Sequence, residues 1–188
     1  MSNFNQGRLE CVVGCMYAGK SEELMRRLRR AKIAKQPMQL FKPAGEQWWG
    51  SEPKVVSHHR TEMQALPVPI DNPRAILDLI KPDTLVVGID EAHFFCSSII
   101  SVCEELVANQ IRVILAALDT DYRGTPWGSI PMLLTLADKV DKLTAVCTVC
   151  GCAATRTHRL FDSTKQVEIG ADGKYEARCR LHFYPPTP

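Results

Sequence analysis

One stretch of eight residues decides the fold of this chain: Gly14-Cys15-Met16-Tyr17-Ala18-Gly19-Lys20-Ser21. It fits G-x-x-x-x-G-K-S/T, the pattern of a phosphate-binding loop. The apolar run Leu9 to Val13 precedes it and predicts a buried strand, while residues 21–35 follow it without Gly or Pro and predict a helix. Because strand, glycine turn and helix are the context that this motif requires, the stretch predicts nucleotide binding.

The residue types in this loop suit the phosphates of ATP, and we expect all eight residues to contact the nucleotide. Gly14 and Gly19 permit backbone conformations that a side chain would block. The backbone N–H groups and the start of the helix then face the phosphate oxygens. Lys20 can reach the β- and γ-phosphates, and the hydroxyl of Ser21 can ligate Mg²⁺.

A second apolar run, from Thr84 to Ile89, ends in two acids, Asp90 and Glu91. This is typical of a buried parallel strand that delivers carboxylates to the carboxyl edge of a sheet. Asp90 is predicted to hold Mg²⁺, and Glu91 can accept a proton from an attacking hydroxyl. The alternative is a pair of solvated acids at the end of a strand.

Strand and helix patterns alternate over residues 8–146, which indicates an α/β fold with a parallel sheet of the P-loop NTPase type. We therefore predict an ATP-binding domain at 1–146, with the polar turn Asp119 to Gly124 at the same edge as the acids. Further strands are predicted at 38–42, 55–57, 111–118 and 142–146, and helices at 73–80, 98–109 and 129–137.

The eight cysteines fall into two groups. Four stand in apolar or helical stretches and are predicted to be small buried side chains: Cys11, Cys15, Cys96 and Cys103. Near the C-terminus, a C-x2-C pair and a C-x2-H pair supply the four ligands of a closed, structural Zn²⁺ site: Cys147, Cys150, Cys179 and His182. Cys152 is a spare ligand, and unligated thiols are the alternative. A small zinc-binding domain is thus predicted at 147–188.

Bulk composition excludes some classes of protein. The formal net charge is only +2, so the basic residues of 21–35 favour a solvated or oligomer-facing helix over nucleic-acid binding. No apolar run approaches the ~20 residues that cross a bilayer, so no membrane partner is expected. Residues 1–8 are polar and lack the apolar core of a signal peptide, which makes a cytoplasmic location the expectation.

The ordered motifs resemble the zinc-containing, P-loop (type II) family of thymidine kinases from Leu9 to Phe183. They are Gly14–Ser21, Asp90–Phe95, Ala117–Gly124, Lys142–Cys150 and Val167–His182. The resemblance implies transfer of the γ-phosphoryl group of ATP to the 5′-hydroxyl of thymidine, with deoxyuridine as a further substrate. It also implies structural Zn²⁺, Mg²⁺ bound with ATP, a homotetramer, and dTTP as a feedback nucleotide.

The resemblance also assigns roles residue by residue. Glu91 would be the general base, Lys20 and Arg60 would stabilise the transferred charge, and Ser21 and Asp90 would hold Mg²⁺. Further ATP contacts would come from Ala92 and His93. The base pocket would be lined by Met16, Phe94, Leu118, Tyr122 and Thr157, although the residues alone favour ordinary core for Met16, Phe94 and Leu118. Thr157 would face the thymine 5-methyl group.

The loop between the two ligand pairs corresponds to the family's lasso, which closes over the nucleoside and binds the base through its backbone. The matching residues are Gln166, Val167, Glu168, Ile169, Gly170 and Tyr175. One departure from the family is His59, which stands where many relatives carry Asp.

Two other functions fit the same motifs. One is a kinase for another deoxynucleoside, which would differ only in the base pocket. The other is a non-enzymatic module in which ATP binding accompanies nucleic-acid binding by the zinc-bearing segment. Basic and acidic residues alternate around that segment, which disfavours a nucleic-acid surface.

Overall fold

The computed structural model describes residues 7–44, 54–56, 62–163, 165–167 and 173–184. Its strands are β1 (Arg8–Val13), β2 (Met38–Ala44), β3 (Lys54–Val56), β4 (Glu62–Gln64), β5 (Leu66–Pro69), β6 (Val86–Ile89), β7 (Arg112–Ala117), β8 (Lys139–Lys142), β9 (Ala145–Val146), β10 (Ala153–Ala154), β11 (Arg156–Arg159) and β12 (Tyr175–Arg178). Its α-helices are α1 (Lys20–Ile33), α2 (Ala75–Leu79), α3 (Ile99–Ala108) and α4 (Ile130–Leu136). None of these helices is long and apolar enough to cross a bilayer.

Six strands form one sheet in the order β5-β2-β6-β7-β1-β8, and every neighbouring pair is parallel. The α/β class predicted from the alternation is therefore confirmed. Smaller antiparallel pairs join β3 with β4, β9 with β10 and β11 with β12. Because all six main strands run the same way, the loops that carry the predicted site leave the sheet at one edge.

Helices cover both faces of the sheet, which explains the continuous apolar runs. Val12 packs on the face that α1 covers, together with Leu28. Its neighbours Cys11 and Val13 pack on the opposite face, among residues from α2, α3 and α4. The contact with α1 is close: a Cβ on Gly88 would lie 2.7 Å from a methyl group of Leu28.

The prediction for the last strand of the sheet was wrong. We expected residues 142–146 to form it. The edge strand next to β1 is instead β8, at Lys139–Lys142, with Val13 opposite Lys142. Ala145–Val146 instead pairs with Ala153–Ala154 outside the main sheet. Since β8 is a largely exposed edge strand, its sequence carries no apolar pattern that would mark it.

Three smaller differences concern the other edge and its surroundings. Leu66–Pro69 was not predicted as a strand, and its two prolines are tolerated because β5 is an edge strand. The helix predicted at 73–80 is shorter, Ala75–Leu79. Cys11, Cys15 and Cys103 are buried as predicted, but Cys96 is exposed.

An ion-pair cluster lies beneath α1 where the sequence predicted only a solvated basic helix. Glu10 is 2% exposed, and its carboxylate accepts hydrogen bonds from Arg27 (2.8 Å) and Arg112 (2.7 and 3.0 Å). Arg27 is 5% exposed and also bonds Glu23 and Asp141. Burial alone would raise the pKa of Glu10, but the arginines, led by the hydrogen bond from Arg112, hold that pKa below its ordinary value.

We expect Glu10→Gln to lower the free energy of unfolding at pH 7 by about 1.5–3 kcal/mol, because Arg27 and Arg112 would lose the buried carboxylate that they share, although Arg27 would keep Glu23 and Asp141. Urea titration followed by circular dichroism measures this loss. Glu105→Gln is the matched control, since Glu105 forms an exposed pair with Arg74 and should contribute at most about 1 kcal/mol. A loss of similar size in the two variants would contradict the role of the cluster.

The same cluster sets a pH dependence of stability. The folded-state pKa of Glu10 lies below its ordinary value of 4.5, so its contribution is complete above pH 4.5 and is lost as pH falls through the folded-state pKa. The difference in unfolding free energy between the unmodified chain and Glu10→Gln should therefore shrink as pH falls from 5 toward 3. A difference that is constant over this range would argue against a charged Glu10.

Candidate functional site

The phosphate loop connects β1 to α1 and has the bent backbone that its glycines predict. Gly14 has φ of 147°, and a Cβ there would lie 2.4 Å from the carbonyl oxygen of Leu143. Gly19 has φ of 79° and directly precedes the first residue of α1, Lys20. The Lys20 ammonium donates a hydrogen bond to the Cys15 carbonyl oxygen at 2.8 Å, so it lies over the loop. This conformation suits the binding of an anion at the start of a helix.

Asp90 and Glu91 follow β6, which is separated from β1 by β7 alone. The side chains of the phosphate loop bridge that gap, since the Ser21 hydroxyl donates to Asp90 Oδ1 at 3.1 Å. The same Oδ1 accepts the backbone N–H of Glu91 at 3.0 Å, which supports Glu91 in a left-handed conformation with φ of 50°. A non-glycine residue held in this region is strained, and such strain is common at functional sites.

Asp90, Glu91 and Lys20 lie close enough that their charges affect one another's pKa values. Burial raises the pKa of Asp90, even though Ser21 and the Glu91 N–H oppose the shift. Burial, followed by the charge of Asp90, raises the pKa of Glu91 to about 7. The Glu91 side chain is 47% exposed, so its contact with water limits the rise in pKa that burial can cause. Burial lowers the pKa of Lys20, and among the charges that oppose this shift the largest effect comes from Glu91.

Ala92 and His93, predicted to contact ATP, lie in a short 3-10 turn and are both buried. The His93 Nδ1 atom accepts the backbone N–H of Leu118 at 3.2 Å, and its ring packs edge-on against Trp127. Burial lowers the pKa of His93 well below its ordinary value, so the ring is neutral. With a fully buried side chain, His93 has only its backbone left for a contact with ATP in this conformation.

The C-terminal part of the chain packs directly on the phosphate loop. A small apolar cluster joins Cys15 to Ala145, Cys147, Ala154 and Ala177. The backbone N–H of Met16 donates to the hydroxyl of Thr157 at 3.0 Å, and the Tyr17 hydroxyl donates to the Tyr175 carbonyl at 3.1 Å. These contacts bring together residues that the resemblance assigns to the nucleoside and residues that the motif assigns to ATP.

The described part of residues 160–175, which we call the covering segment, also contacts the loop that follows β7. The Tyr122 hydroxyl donates to the Ser163 carbonyl at 3.3 Å, and the Gln166 amide approaches Asp121 Oδ2 at 3.4 Å. Phe94 packs edge-on against Trp127, and Leu118 is 8% exposed. Of the other predicted contacts, Val167 is described, whereas Arg60, Glu168, Ile169 and Gly170 lie outside the described residues.

Sequence reasoning missed two residues that organise this region, Arg159 and Asp121. Arg159 is 8% exposed and bonds three carbonyl groups of the covering segment. It belongs to β11, whose four residues are all polar, so the sequence gave no signal that the Arg159 side chain is buried. Asp121 is 4% exposed and accepts the backbone N–H groups of Arg123 and Thr125, so it closes the polar turn that was predicted at Asp119 to Gly124 without a role for this side chain.

The four predicted metal ligands converge, with all their ligand atoms within 4.8 Å of one another. The Cys150 and Cys179 sulfurs are 3.7 Å apart, and His182 Nδ1 lies 3.3 Å from the Cys179 sulfur and 3.9 Å from that of Cys147. Tetrahedral zinc with bonds of about 2.3 Å to sulfur and 2.0–2.1 Å to nitrogen would separate its ligands by roughly 3.5–3.8 Å. The cluster could therefore hold a metal ion such as zinc.

The protonation of Cys147 also suits a metal. Burial raises the pKa of this thiol, but backbone N–H groups, led by that of Cys179, outweigh burial and lower the pKa to about 6. The Cys147 thiolate, which is the form that binds metals, is therefore favoured, whereas burial and the neighbouring thiols raise the pKa values of Cys150 and Cys179. Cys152 is exposed and does not belong to the cluster, although its carbonyl accepts the N–H of Cys147 at 2.8 Å.

Comparison with known proteins gives consistent matches over nearly the whole chain. A family model with the description Thymidine kinase matches residues 7–183. The thymidine kinase of Coprothermobacter proteolyticus is 47% identical over 186 residues, covering 96% of this chain and 92% of that protein. The thymidine kinases of Bdellovibrio bacteriovorus and Bacteroides fragilis are 44% and 45% identical, covering 98% and 93% of this chain and 91% and 86% of those proteins.

Proposed function

The chain belongs to the thymidine kinase family, and we propose that it transfers the γ-phosphoryl group of ATP to the 5′-hydroxyl of thymidine, giving dTMP and ADP. The observation that carries this proposal is the direct linkage of three parts. Ser21 of the phosphate loop bonds Asp90 of the acid pair, and Tyr17 of the same loop bonds the Tyr175 carbonyl of the covering segment. Such a site can bind a nucleotide and hold a second ligand beside its terminal phosphate.

In the proposed reaction, the Glu91 carboxylate accepts the proton of the 5′-hydroxyl as the oxygen forms its bond to the γ-phosphorus. The bond from this phosphorus to the oxygen of ADP breaks at the same time. Lys20 and Arg60 stabilise the negative charge on the transferred group. Phosphoryl transfer needs positioning and charge neutralisation more than covalent chemistry, and the phosphate loop with its partly buried lysine can supply both.

Mg²⁺ is proposed to bind with ATP beside Ser21 and Asp90. The Ser21 hydroxyl oxygen and the buried Asp90 carboxylate, 3.1 Å apart, provide the oxygen ligands that Mg²⁺ prefers. When bound, the ion would neutralise charge on the phosphates. A cation here would also offset the burial that disfavours an ionised Asp90.

The covering segment is proposed to close over the nucleoside base. The residues that bind the base would be Met16, Phe94, Leu118, Tyr122, Thr157, Gln166, Val167, Glu168, Ile169, Gly170 and Tyr175. The Thr157 hydroxyl is engaged by Met16, so the methyl group of Thr157 is the part left to face the thymine 5-methyl. One methyl contact is worth about 1–3 kcal/mol, so deoxyuridine should be a weaker substrate rather than an excluded one.

The finer properties of the family are proposed on the resemblance alone. They are an ATP-binding domain at 1–146, a zinc-binding domain at 147–188, a homotetramer and inhibition by dTTP. Light scattering of the purified chain tests the oligomeric state, and a monomer that persists over a wide concentration range would contradict it. The effect of dTTP on the initial rate tests the inhibition.

The function is tested with a panel of nucleosides and labelled ATP in the presence of Mg²⁺. We expect thymidine to be the preferred acceptor, with deoxyuridine next and deoxycytidine and purine nucleosides far behind. Preferential transfer to deoxycytidine or to a purine nucleoside would overturn the assignment of substrate. Hydrolysis of ATP without transfer to any nucleoside would overturn the proposed kinase activity.

We propose that the ion in the Cys/His cluster is zinc, and that it holds together the two stretches of chain that flank the covering segment. Cys150→Ser should lower zinc from about one ion per chain to well below half, because a closed tetrahedral site loses one of its four ligands. Cys152→Ser is the matched control: Cys152 is also exposed and lies two positions away, but outside the cluster, so this variant should keep its zinc. Atomic absorption measures both, and a full complement in Cys150→Ser would show that another group takes its place.

A further inference from the structure

The guanidinium group of Arg159 lies at the centre of the covering segment. Its Nη1 atom donates to the carbonyl oxygens of Ser163 at 3.0 Å and Lys165 at 2.8 Å. Its Nη2 atom donates to the carbonyl of Gln166 at 3.0 Å and to the hydroxyl of Tyr175 at 3.1 Å. One side chain thus joins both ends of the covering segment.

Aromatic rings enclose the same group. The guanidinium carbon lies 3.5 Å from the ring centroid of Tyr122, and 5.4 and 5.5 Å from those of Phe161 and Tyr175. Tyr122 is 4% exposed and belongs to the loop after β7, outside the covering segment. A cation over a buried ring is attracted by the ring face. Through Arg159, this stacking connects the covering segment to the loop that follows β7.

These contacts replace the water that the charged guanidinium group of Arg159 would otherwise bind. Among the described residues, no carboxylate pairs with Arg159, and its Nε atom has no hydrogen-bond partner. A buried cation is costly unless polar groups replace its water, and here carbonyl oxygens of the covering segment do so. The carbonyl groups of the covering segment stabilise the Arg159 cation only when the segment is closed, that is, when it makes these hydrogen bonds. The cation in turn stabilises the closed position.

We propose that Arg159 is a positioning residue that holds the covering segment closed and thereby sets the affinity for the nucleoside, without taking part in the chemistry. This inference rests on the proposed function, because the covering segment and Tyr122 carry the proposed contacts with the base. Arg159 acts through these residues, whereas the phosphate loop and Glu91 perform the transfer. Loss of Arg159 should therefore weaken nucleoside binding selectively.

The decisive variant is Arg159→Met, which keeps a long unbranched side chain but removes the charge and all donors. The KM for thymidine should rise about 10- to 100-fold, as expected if the closed form falls to between roughly a tenth and a hundredth of the molecules. The kcat at saturating thymidine and the KM for ATP should stay within about twofold. Hydrogen exchange at residues 163–167 should be faster than in the unmodified chain and should slow again with saturating thymidine.

Two further variants separate this role from general damage to the fold. Arg156→Met is the matched control, because Arg156 lies on the same strand and stacks on Phe183 at 5.9 Å, but makes no described hydrogen bond to the covering segment. It should keep the KM of the unmodified chain. Arg159→Lys keeps the charge but loses the planar group that bonds and stacks at once, so it should restore the KM only partly. It also serves if Arg159→Met fails to fold.

The outcomes distinguish this inference from the function on which it rests. An unchanged KM for thymidine in the Arg159 variants, or an equal fall in kcat with no rise in KM, would overturn the role of Arg159 while leaving the kinase activity intact. If the unmodified chain does not phosphorylate thymidine, the proposed function fails. Hydrogen exchange then decides on Arg159, and unchanged exchange at residues 163–167 in Arg159→Met would overturn its positioning role.

Discussion

Replacing Glu91 by Gln should lower kcat for thymidine phosphorylation by about 10²- to 10⁴-fold, the usual contribution of a general base. Gln keeps the size of the side chain but cannot accept the proton of the 5′-hydroxyl. Affinity for ATP should change little, because Ser21, Asp90 and the phosphate loop remain in place. Steady-state kinetics at saturating thymidine, together with calorimetric titration of ATP, measures the two effects separately.

The control for this variant is Glu104→Gln, an identical change on the exposed surface of α3 that should leave kcat unaltered. A kcat near that of the unmodified chain in Glu91→Gln would rule out Glu91 as the base. A fall in ATP affinity as large as the fall in kcat would instead indicate that the change had disturbed the phosphate loop.

Lys20→Met should lower kcat by about 10²- to 10³-fold, because a cation aimed at the transferred group stabilises the charge that develops on it. Lys20 lies over the loop, bonded to the Cys15 carbonyl, and the charge of Glu91 acts strongly on it. The KM for ATP should rise as well, since we expect the same cation to contact the phosphates of bound ATP. Initial rates over a grid of ATP and thymidine concentrations separate the two parameters.

Two comparisons make this result interpretable. Lys32→Met changes an exposed lysine near the end of the same helix and should behave like the unmodified chain. Lys20→Arg keeps the charge beside Asp90 and Glu91, so it should fold normally but recover only part of the rate, because a planar guanidinium does not replace a compact ammonium. A raised KM for ATP with full kcat in Lys20→Met would mean that Lys20 contributes to binding alone.

The positions of the phosphate loop and of the acid pair were predictable because their signals are local. Eight consecutive residues define the phosphate loop, and a single apolar run places Asp90 and Glu91 at a strand end. The parallel sheet then follows from the alternation of strands and helices, and parallel strands bring their carboxyl ends to one edge. The Cys/His cluster was predictable for a similar reason, since two short pairs of the right residue types define it.

The ion-pair cluster beneath α1 could not be predicted in this way. Glu10 is a single acid in an apolar run, and Arg27 is one of several basic residues on a helix. Each pattern by itself indicates exposure to solvent. Only the pairing of β1 with β7, together with the packing of α1 on the sheet, places Glu10 between Arg27 and Arg112.

The position of the last strand of the sheet and the burial of Arg159 could not be predicted from the sequence either. An edge strand such as β8 needs no apolar face, so the apolar residues that follow it drew the prediction to the wrong place. Arg159 lies on a strand without an apolar pattern, and its carbonyl partners come from a segment that contacts Tyr122, far away in the chain. Neither feature has a signal at a fixed spacing along the chain.

The sequence by itself determined the α/β class, the phosphate loop, the acid pair that follows β6 and the members of the Cys/His cluster that could hold a metal ion. These features depend on residue type and short spacing, which the backbone translates directly into local geometry. The tertiary structure alone decided which charges are buried together, where the sheet ends and how Arg159 joins the covering segment to Tyr122. Those outcomes depend on contacts between residues far apart in the chain. Such contacts stabilise the structure only after the helices and strands have packed together.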